Sequence, residues 1–144
     1  MGLVWAQTGQ RVNVSANSLK KGVYNGQDVQ RLLGNVVITQ GNTTIYSDSA
    51  YRYEGDLNRM EVFSNVRILQ GTMTITSATG SYNGDTRLAT LRGGVDLVDQ
   101  DMHLVTPSLD YNFESRIAYY TEKGDINGPD YNIKSQFGLS LIHI

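Results

Sequence analysis

Histidine is the residue type most able to act as a general base or a metal ligand near neutral pH, and this 144-residue chain has two, His103 and His143. His103 stands between Met102 and Leu104 in an alternating segment, which places it on the face opposite the apolar side chains. The sequence has neither a His-x-His nor a His-Glu-x-x-His spacing, and no Gly-x-Ser-x-Gly turn frames a nucleophile. We therefore predict no catalytic residue and no metal site at His103.

Acidic side chains are the second candidates for chemistry, because a glycosidase acts through two carboxylates that face each other across a cleft. Asp56 and Asp85 occupy equivalent turn positions in successive units, and Glu54 and Glu114 lie near similar turns. Aspartate at such positions accepts hydrogen bonds from the local backbone, so we interpret these residues as turn formers. The chain has no cysteine, which excludes disulfides and thiolate chemistry. The sequence thus predicts a protein without enzymatic activity, metal or cofactor.

Charge and composition exclude two kinds of partner. The net charge is −2 and no basic stripe is present, so a nucleic-acid surface is not expected. No apolar run is long enough to cross a bilayer.

With 15 glycines, 9 tyrosines and only 2 prolines, the composition favours strands joined by tight turns. We interpret the tyrosines as packing residues, with contact to sugar as the alternative.

A repeat of about thirty residues is the element that must position any functional side chain. A small or polar pair precedes an alternating strand at four places, from Gly34-Asn35-Val36 to Gly124-Asp125-Ile126, and the valine or isoleucine after each pair recurs at steps of 30, 29 and 31 residues. A second motif, an aliphatic residue two positions before Ser or Thr, recurs with the same period at Ile45, Ile75, Leu104 and Ile133. Two independent motifs with one period indicate stacked β units.

The segments within each repeat have the two-residue period of strands. In Val66-Arg67-Ile68 and Val95-Asp96-Leu97 a charged residue separates two apolar ones, so one face is apolar and the other is wet. Turn pairs separate these segments, among them Asn25-Gly26 and the run Tyr82-Asn83-Gly84-Asp85, where Asn-Gly readily adopts positive φ. No ten-residue stretch has a helical period, so the sequence predicts an all-β fold of repeated antiparallel strands.

The first of these repeats also carries a resemblance. The segment 25–36, Asn-Gly-Gln-Asp-Val-Gln-Arg-Leu-Leu-Gly-Asn-Val, followed by Thr43–Ala50, resembles the OstA-like family, and segments 59–66 and 74–78 repeat its pattern. The resemblance covers Val12 to Gly138. It implies a β-jellyroll, or folded taco, in which two facing antiparallel sheets enclose a passage for acyl chains. It also implies that homologous jellyroll domains dock edge to edge to bridge the periplasm in lipopolysaccharide transport.

An aliphatic strip on one face of the repeats meets the needs of such a passage, since each buried methylene contributes about 0.8 kcal/mol. Its members, which we predict to contact lipopolysaccharide or a related lipid, are Val36, Ile38, Ile45, Val66, Ile68, Ile75, Val95, Leu97, Leu104, Ile126 and Ile133. The alternative for each residue is a dry core. The alternative function is a structural or adhesive β-repeat domain that binds protein or carbohydrate.

The two ends of the chain depart from the repeat. We interpret residues 1–6, with Val4 and Ala6 as small residues before a cleavable bond, as the remnant of a secretory signal, which indicates a periplasmic protein. Residues 7–138 form the predicted jellyroll domain, truncated at its C-terminus, because the next Tyr-containing turn is missing. Residues 139–144, Leu-Ser-Leu-Ile-His-Ile, are interpreted as a non-native tail, with a genuine final strand as the alternative.

Overall fold

Strands joined by short turns make up nearly all of the part of the chain that the structure describes. The computed structural model describes the backbone of residues 11–128 and 131–143 and the side chains of residues 11–120. Ten strands lie in these ranges: β1 Asn13–Ser15, β2 Ser18–Tyr24, β3 Gln27–Gln40, β4 Thr43–Tyr53, β5 Arg59–Gln70, β6 Met73–Asn83, β7 Leu88–Asp99, β8 Met102–Asn112, β9 Ile117–Gly128 and β10 Tyr131–His143. The all-β prediction is confirmed. The predicted signal remnant at residues 1–6 lies outside the described residues.

All of these strands belong to one antiparallel sheet that follows the chain order. From β3 to β10 each strand pairs with the next one along the sequence. At the N-terminal edge β1 and β2 lie end to end along β3, opposite residues 37–39 and 27–33 respectively. At the other edge the backbone of β10 pairs with β9 as far as His143, so residues 139–143 lie in this strand. Each thirty-residue repeat therefore forms two strands, which add one hairpin to the sheet.

A break in register near the middle of each long strand divides the sheet into two arms. Pairing of β3 with β4 stops at Leu33 and Ser49 and resumes at Val36 and Ser47. Corresponding breaks occur in every pair from β3–β4 to β8–β9. We call the half that contains β1 and the turns at 41–42, 71–72 and 100–101 arm A, and the half that contains β2 and the turns at 54–58, 84–87 and 113–116 arm B. The two facing sheets of the jellyroll are the halves of one bent sheet.

The bend itself is produced by the small or polar pairs of the repeat. Gly34 and Asn35 have φ values of 81° and 48°, Ser64 and Asn65 have 71° and 53°, and Gly93 and Gly94 have 87° and 88°. Two successive residues in the left-handed region form a bulge that turns the strand. Glycine and asparagine adopt this conformation at the least strain, which explains five of these six residues, Ser64 being the exception. The sequence pattern placed them at the start of a strand, whereas they lie in its middle.

The hairpin turns agree only in part with the predicted chemistry. Asn25 and Gly26 have φ values of 51° and 75°, as a two-residue type I′ turn requires. The hairpin at residues 84–87 forms where it is expected, but its positive φ, 60°, falls at Arg87 and not at Asn83 or Gly84. Asn83 instead accepts hydrogen bonds at Oδ1 from the backbone N–H groups of Asp85 and Thr86, at 2.8 and 3.3 Å. Its side chain therefore orders a longer, four-residue turn.

One turn of arm A has a residue that does not suit its conformation. Gly41 and Gly71 begin two of the turns with φ values of 59°, and Gln100 holds the equivalent position at 55°. A non-glycine residue is strained there by about 1–2 kcal/mol. Because glycine also gains freedom in the unfolded chain, we expect Gln100→Gly to raise the free energy of unfolding by about 1 kcal/mol or less. Urea denaturation measures this change.

The reciprocal substitution is the matched control for this turn. A Cβ added at Gly71 meets no atom within 4 Å, so the main effect expected of Gly71→Gln is the backbone strain. We expect it to lower the free energy of unfolding by about 1 kcal/mol. Equal unfolding midpoints for the wild type and both variants would show that the backbone at these positions carries no strain.

The core lies between the arms. In arm A, Val66 and Ile68 are buried on either side of the exposed Arg67, as the alternation predicts. Inward side chains of both arms join one continuous cluster, which runs from Val12 at the N-terminal edge to Tyr120 in β9. The bend thus lets a single sheet bury its apolar face against itself, so that no second layer is needed to cover it.

Candidate functional site

The predicted lining residues lie together on the inner face of arm A. Nine of them have described side chains, and each is 0–1 % exposed and belongs to the single core cluster: Val36, Ile38, Ile45, Val66, Ile68, Ile75, Val95, Leu97 and Leu104. The backbone of Ile126 pairs with Leu104 on one side and with Ile133 on the other, and the side chains of Ile126 and Ile133 lie outside the described part. In this conformation the strip is a packed interior.

Arm B supplies the opposite wall, which the sequence interpretation missed. Its inward side chains include Leu32, Ala50, Met60, Val62, Ala89, Leu91, Leu109, Tyr111 and Ala118. A periodic signal was present, because Met60, Ala89 and Ala118 follow each other at steps of 29 residues. Three of these nine positions hold alanine, however, and Gly80 also lies on this wall against Leu91 and Val62. Small residues give little hydrophobic pattern although they complete the wall.

A line of polar contacts closes the interior where the tips of the two arms meet, and we call this line the seam. Gln40 and Gln70, the last residues of β3 and β5, are only 4 % and 2 % exposed. Gln40 donates from Nε2 to the carbonyl oxygen of Gly84 at 2.9 Å. Gln70 donates from Nε2 to the carbonyl oxygen of Phe113 at 2.8 Å. Each glutamine of arm A thus holds a turn of arm B, one repeat apart.

Two arginines cross the seam in the opposite direction. Arg87, the last residue of an arm B turn, donates from Nη2 to Oγ1 of Thr43 at 3.1 Å. Arg116 holds the corresponding position in the next turn and forms an ion pair with Asp99, with 3.6 Å between Nη2 and Oδ2. The seam therefore joins the arms by hydrogen bonds and an ion pair, whereas the interior behind it is held by apolar packing.

The polar groups at the seam are incompletely paired. Within residues 11–120, Oε1 of Gln70, Nε of Arg87 and the hydroxyl of Tyr111 are buried without a hydrogen-bond partner. A buried polar atom left without a partner costs about 1–3 kcal/mol, and this cost disappears when water reaches the atom. Opening of the seam removes this cost, which offsets part of the hydrogen bonding that is broken there.

Tyr111 reports on the closed state of the seam. Burial raises the pKa of its hydroxyl to about 12, the carboxylate of Asp99 adds to the rise, and Arg116 opposes it. Tyrosine ionises near 10 when unfolded, so the unfolded chain loses this proton first. The free energy of unfolding is then constant below pH 10 with respect to this group and falls as the pH rises from 10 towards 12.

We expect a measurable difference between the wild type and Tyr111→Phe in that pH range. The substitution removes a hydroxyl that interacts weakly with Arg116, so stability at pH 7 should change by less than about 1 kcal/mol. Between pH 10 and 12 the decline in stability should be smaller in the variant. Urea denaturation across this range is the measurement, and parallel curves would show that Tyr111 titrates like an exposed tyrosine.

Chemical groups outside the interior form no catalytic arrangement among residues 11–120. His103 lies on the outer face, as predicted, with Nε2 3.2 Å from Oδ1 of the exposed Asp96. No group of three or more His, Cys, Asp or Glu side chains in this part of the chain is placed to hold a metal ion. In the same described part, no helix has the length and apolar character needed to span a membrane.

Comparisons with known proteins agree with this architecture. A family model described as OstA-like protein matches residues 10–140. Among solved structures, the chain is similar to LptH from Pseudomonas aeruginosa, with a TM-score of 0.64 and 14 % sequence identity over 92 % of this chain and 94 % of that one. LptH is described as the LptA homologous periplasmic component of the conserved lipopolysaccharide transport device. A comparison with curated proteins found no match.

Proposed function

The chain belongs to the OstA-like family, and on that premise we propose that it is a non-catalytic periplasmic carrier that holds the acyl chains of lipopolysaccharide between its two arms. The observation that carries the proposal is the continuous apolar interior bounded by Ile68 and Leu97 on one wall and by Met60 and Leu91 on the other. Strands lie about 4.8 Å apart, so the six strands from β3 to β8 provide about 24 Å of this interior. An extended acyl chain can lie along that direction.

Entry of a lipid requires the arms to move apart, because the lining residues are packed against each other. Each acyl methylene that enters contributes about 0.8 kcal/mol, which offsets the lost contacts between the walls. The seam is the line along which we expect separation, since its polar groups gain water or lipid head groups when it opens. Contacts between the walls and the several acyl chains of the lipid can thus replace the contacts that the two walls make with each other.

The sheet edges are the proposed docking surfaces for homologous jellyroll domains. Strand β2 lies at the N-terminal edge, where Leu19 and Val23 are 57 % and 70 % exposed. An edge strand with free backbone groups accepts a strand from another domain by β-augmentation. Apolar side chains on such a strand add to the attraction. Edge-to-edge docking would join the interior of one domain to the interior of the next and so form a bridge.

A photolabelling experiment on the unmutated protein tests where the acyl chains bind. Lipopolysaccharide that carries a diazirine on an acyl chain is mixed with the purified protein, irradiated, and the modified residues are identified by mass spectrometry. We expect saturable labelling of inward residues such as Ile68 and Leu97. Their outward neighbours Arg67 and Val98 lie on the same strands and serve as internal controls, which should remain unlabelled.

Other labelling patterns contradict the proposal. Labels confined to outward residues would show that the lipid adheres to the surface and does not enter between the arms. Absence of saturable labelling in a folded sample, checked by circular dichroism, would favour the structural or adhesive β-repeat. Competition by unlabelled lipopolysaccharide distinguishes specific binding from partition into lipid aggregates.

A further inference from the structure

A second cluster of aromatic side chains lies on the outer face of arm B, separate from the core. The rings of Tyr24 and Tyr51 are 4.7 Å apart between centroids, and those of Tyr51 and Phe63 are 5.0 Å apart. All three side chains are half-buried and none belongs to the core cluster. A half-exposed group of rings on a sheet face is a feature that commonly marks a binding surface.

The strand register places polar side chains beside these rings. Glu61 lies opposite Ser81, which lies opposite Thr90, and Phe63 lies opposite Thr79, which lies opposite Arg92. Directly opposite residues of antiparallel strands point to the same face, so the two rows run side by side across arm B. Together with Tyr24 they line a shallow groove of about 230 Å³.

The charged groups of this groove are held in place by neighbours. Tyr53 donates its hydroxyl to Oε2 of Glu61 at 3.2 Å, and the guanidinium of Arg59 lies 4.4 Å above the Tyr53 ring. Burial raises the pKa of Glu61, as expected for a carboxylate partly withdrawn from water. Arg92, at the other end, is more than half exposed; its Nη1 donates to the carbonyl oxygen of Leu91 at 3.1 Å and lies 3.7 Å from Oδ1 of Asp110. The groove therefore has a positioned acceptor and an accessible donor.

We infer that this groove binds a saccharide ring. A pyranose has an apolar face of C–H groups, which suits Tyr24 and Phe63, and a rim of hydroxyls, which suits a carboxylate, a guanidinium and three hydroxyl side chains. The groove is smaller than the roughly 300–1,000 Å³ of sites for drug-sized ligands, which limits it to about one ring. Glu61 lies on β5 and Arg92, paired with Asp110, lies on β7, so the groove offers charges of both signs to the hydroxyl rim. The site is on the outside of arm B and does not depend on the proposed interior lipid site.

The sugar can come from two sources, the head group of a glycolipid or a free oligosaccharide. The two probes are therefore the acyl-free oligosaccharide prepared by complete deacylation of lipopolysaccharide, and chitotetraose. Neither probe has acyl chains, so neither reports on the interior, and failure of this inference leaves the lipid proposal unaffected. Each is titrated into the full chain labelled with ¹⁵N, and the shifts of backbone amide resonances are followed.

We expect saturable shifts at Thr79, Ser81 and Thr90 with at least one probe. Binding of both probes assigns a general saccharide site, and binding of the deacylated oligosaccharide alone assigns a head-group site. Phe63→Leu removes an aromatic contact from the outer face, and Glu61→Gln removes a charged acceptor. Each substitution should weaken saccharide binding about tenfold. Tyr119→Ala removes an exposed tyrosine of arm B that does not line the groove, and it should leave the affinity unchanged.

Two results would overturn the inference. The first is a lack of saturable shifts with both probes in a sample whose spectrum is that of the folded protein. The second is that Phe63→Leu and Glu61→Gln reduce the affinity for the saccharide no more than Tyr119→Ala does. Binding would then occur elsewhere on the surface.

Discussion

A Leu97→Asp variant is expected to lose more than about 5 kcal/mol of unfolding free energy and to be largely unfolded at room temperature. Leu97 is fully buried between the arms, in contact with the rest of the core. Loss of its side chain alone costs about 2–5 kcal/mol, and the carboxylate adds the cost of a charge without a partner. Small domains have only about 5–15 kcal/mol in total. Circular dichroism in increasing urea measures the loss.

The neighbouring residue is the matched control. Val98 is 40 % exposed on the outer face, and its cross-strand neighbours are Thr74 and His103. We expect Val98→Asp to lower the free energy of unfolding by no more than about 1 kcal/mol, because aspartate is less favourable than valine in a strand. Equal effects of the two substitutions would mean that the inner and outer faces of β7 are wrongly assigned. Since charges in the lining unfold the protein, they test stability and not lipid binding, and the labelling experiment therefore uses the unmutated chain.

A disulfide across the seam is expected to abolish lipid binding. Val12, just before β1 in arm A, contacts the tip of arm B, where a Cβ built on Gly84 would lie 2.5 Å from Cγ2 of Val12. Gly84 has no positive φ, so a side chain is compatible with its backbone. The Val12→Cys/Gly84→Cys variant should form a bond that ties the arms together, and the natural chain has no cysteine to compete. Because the proposed entry of lipid requires the arms to separate, the oxidised form should not bind lipopolysaccharide.

Reduction of the same sample is the control for this locked state. The oxidised form should be more stable than the reduced form by up to about 4 kcal/mol, because the bond closes a long loop. Lipid binding should return on addition of a reductant, and the two single-cysteine variants should bind in either condition. Fluorescence displacement of a lipid probe follows binding. Equal affinity in the oxidised and reduced forms would contradict entry between separating arms.

The sequence predicts the fold well because two separate patterns follow the same repeat. One is the alternation of apolar residues, and the other is the spacing of the small or polar pairs. The alternation in Val95-Asp96-Leu97 assigns the inner face of arm A correctly, since large aliphatic residues there alternate with exposed polar ones. The opposite wall is less apparent because Ala50, Ala89 and Gly80 carry little hydrophobic signal. Whether the lining residues contact lipid stays a prediction.

The features that escaped prediction depend on pairing between distant strands. Gly34-Asn35 has the composition of a turn, and only the register of β3 with β4 places it at a bend within one strand. The hydrogen bonds of the seam join residues more than 40 positions apart, such as Gln40 and Gly84. The outer aromatic cluster likewise combines β2, β4 and β5, and local periodicity carries no information on such combinations.

The bend pairs have a consequence for how a protein of this kind can change in length. Each thirty-residue unit contains its own bend, its own two turns and its own contribution to the seam, so a unit can be gained or lost without redesign of its neighbours. Every added unit contributes two strands and lengthens the enclosed interior by about 10 Å. Duplication or loss of single hairpins can therefore change the length of the domain in steps of about 10 Å. In this way evolution can match the domain to the distance that it must span.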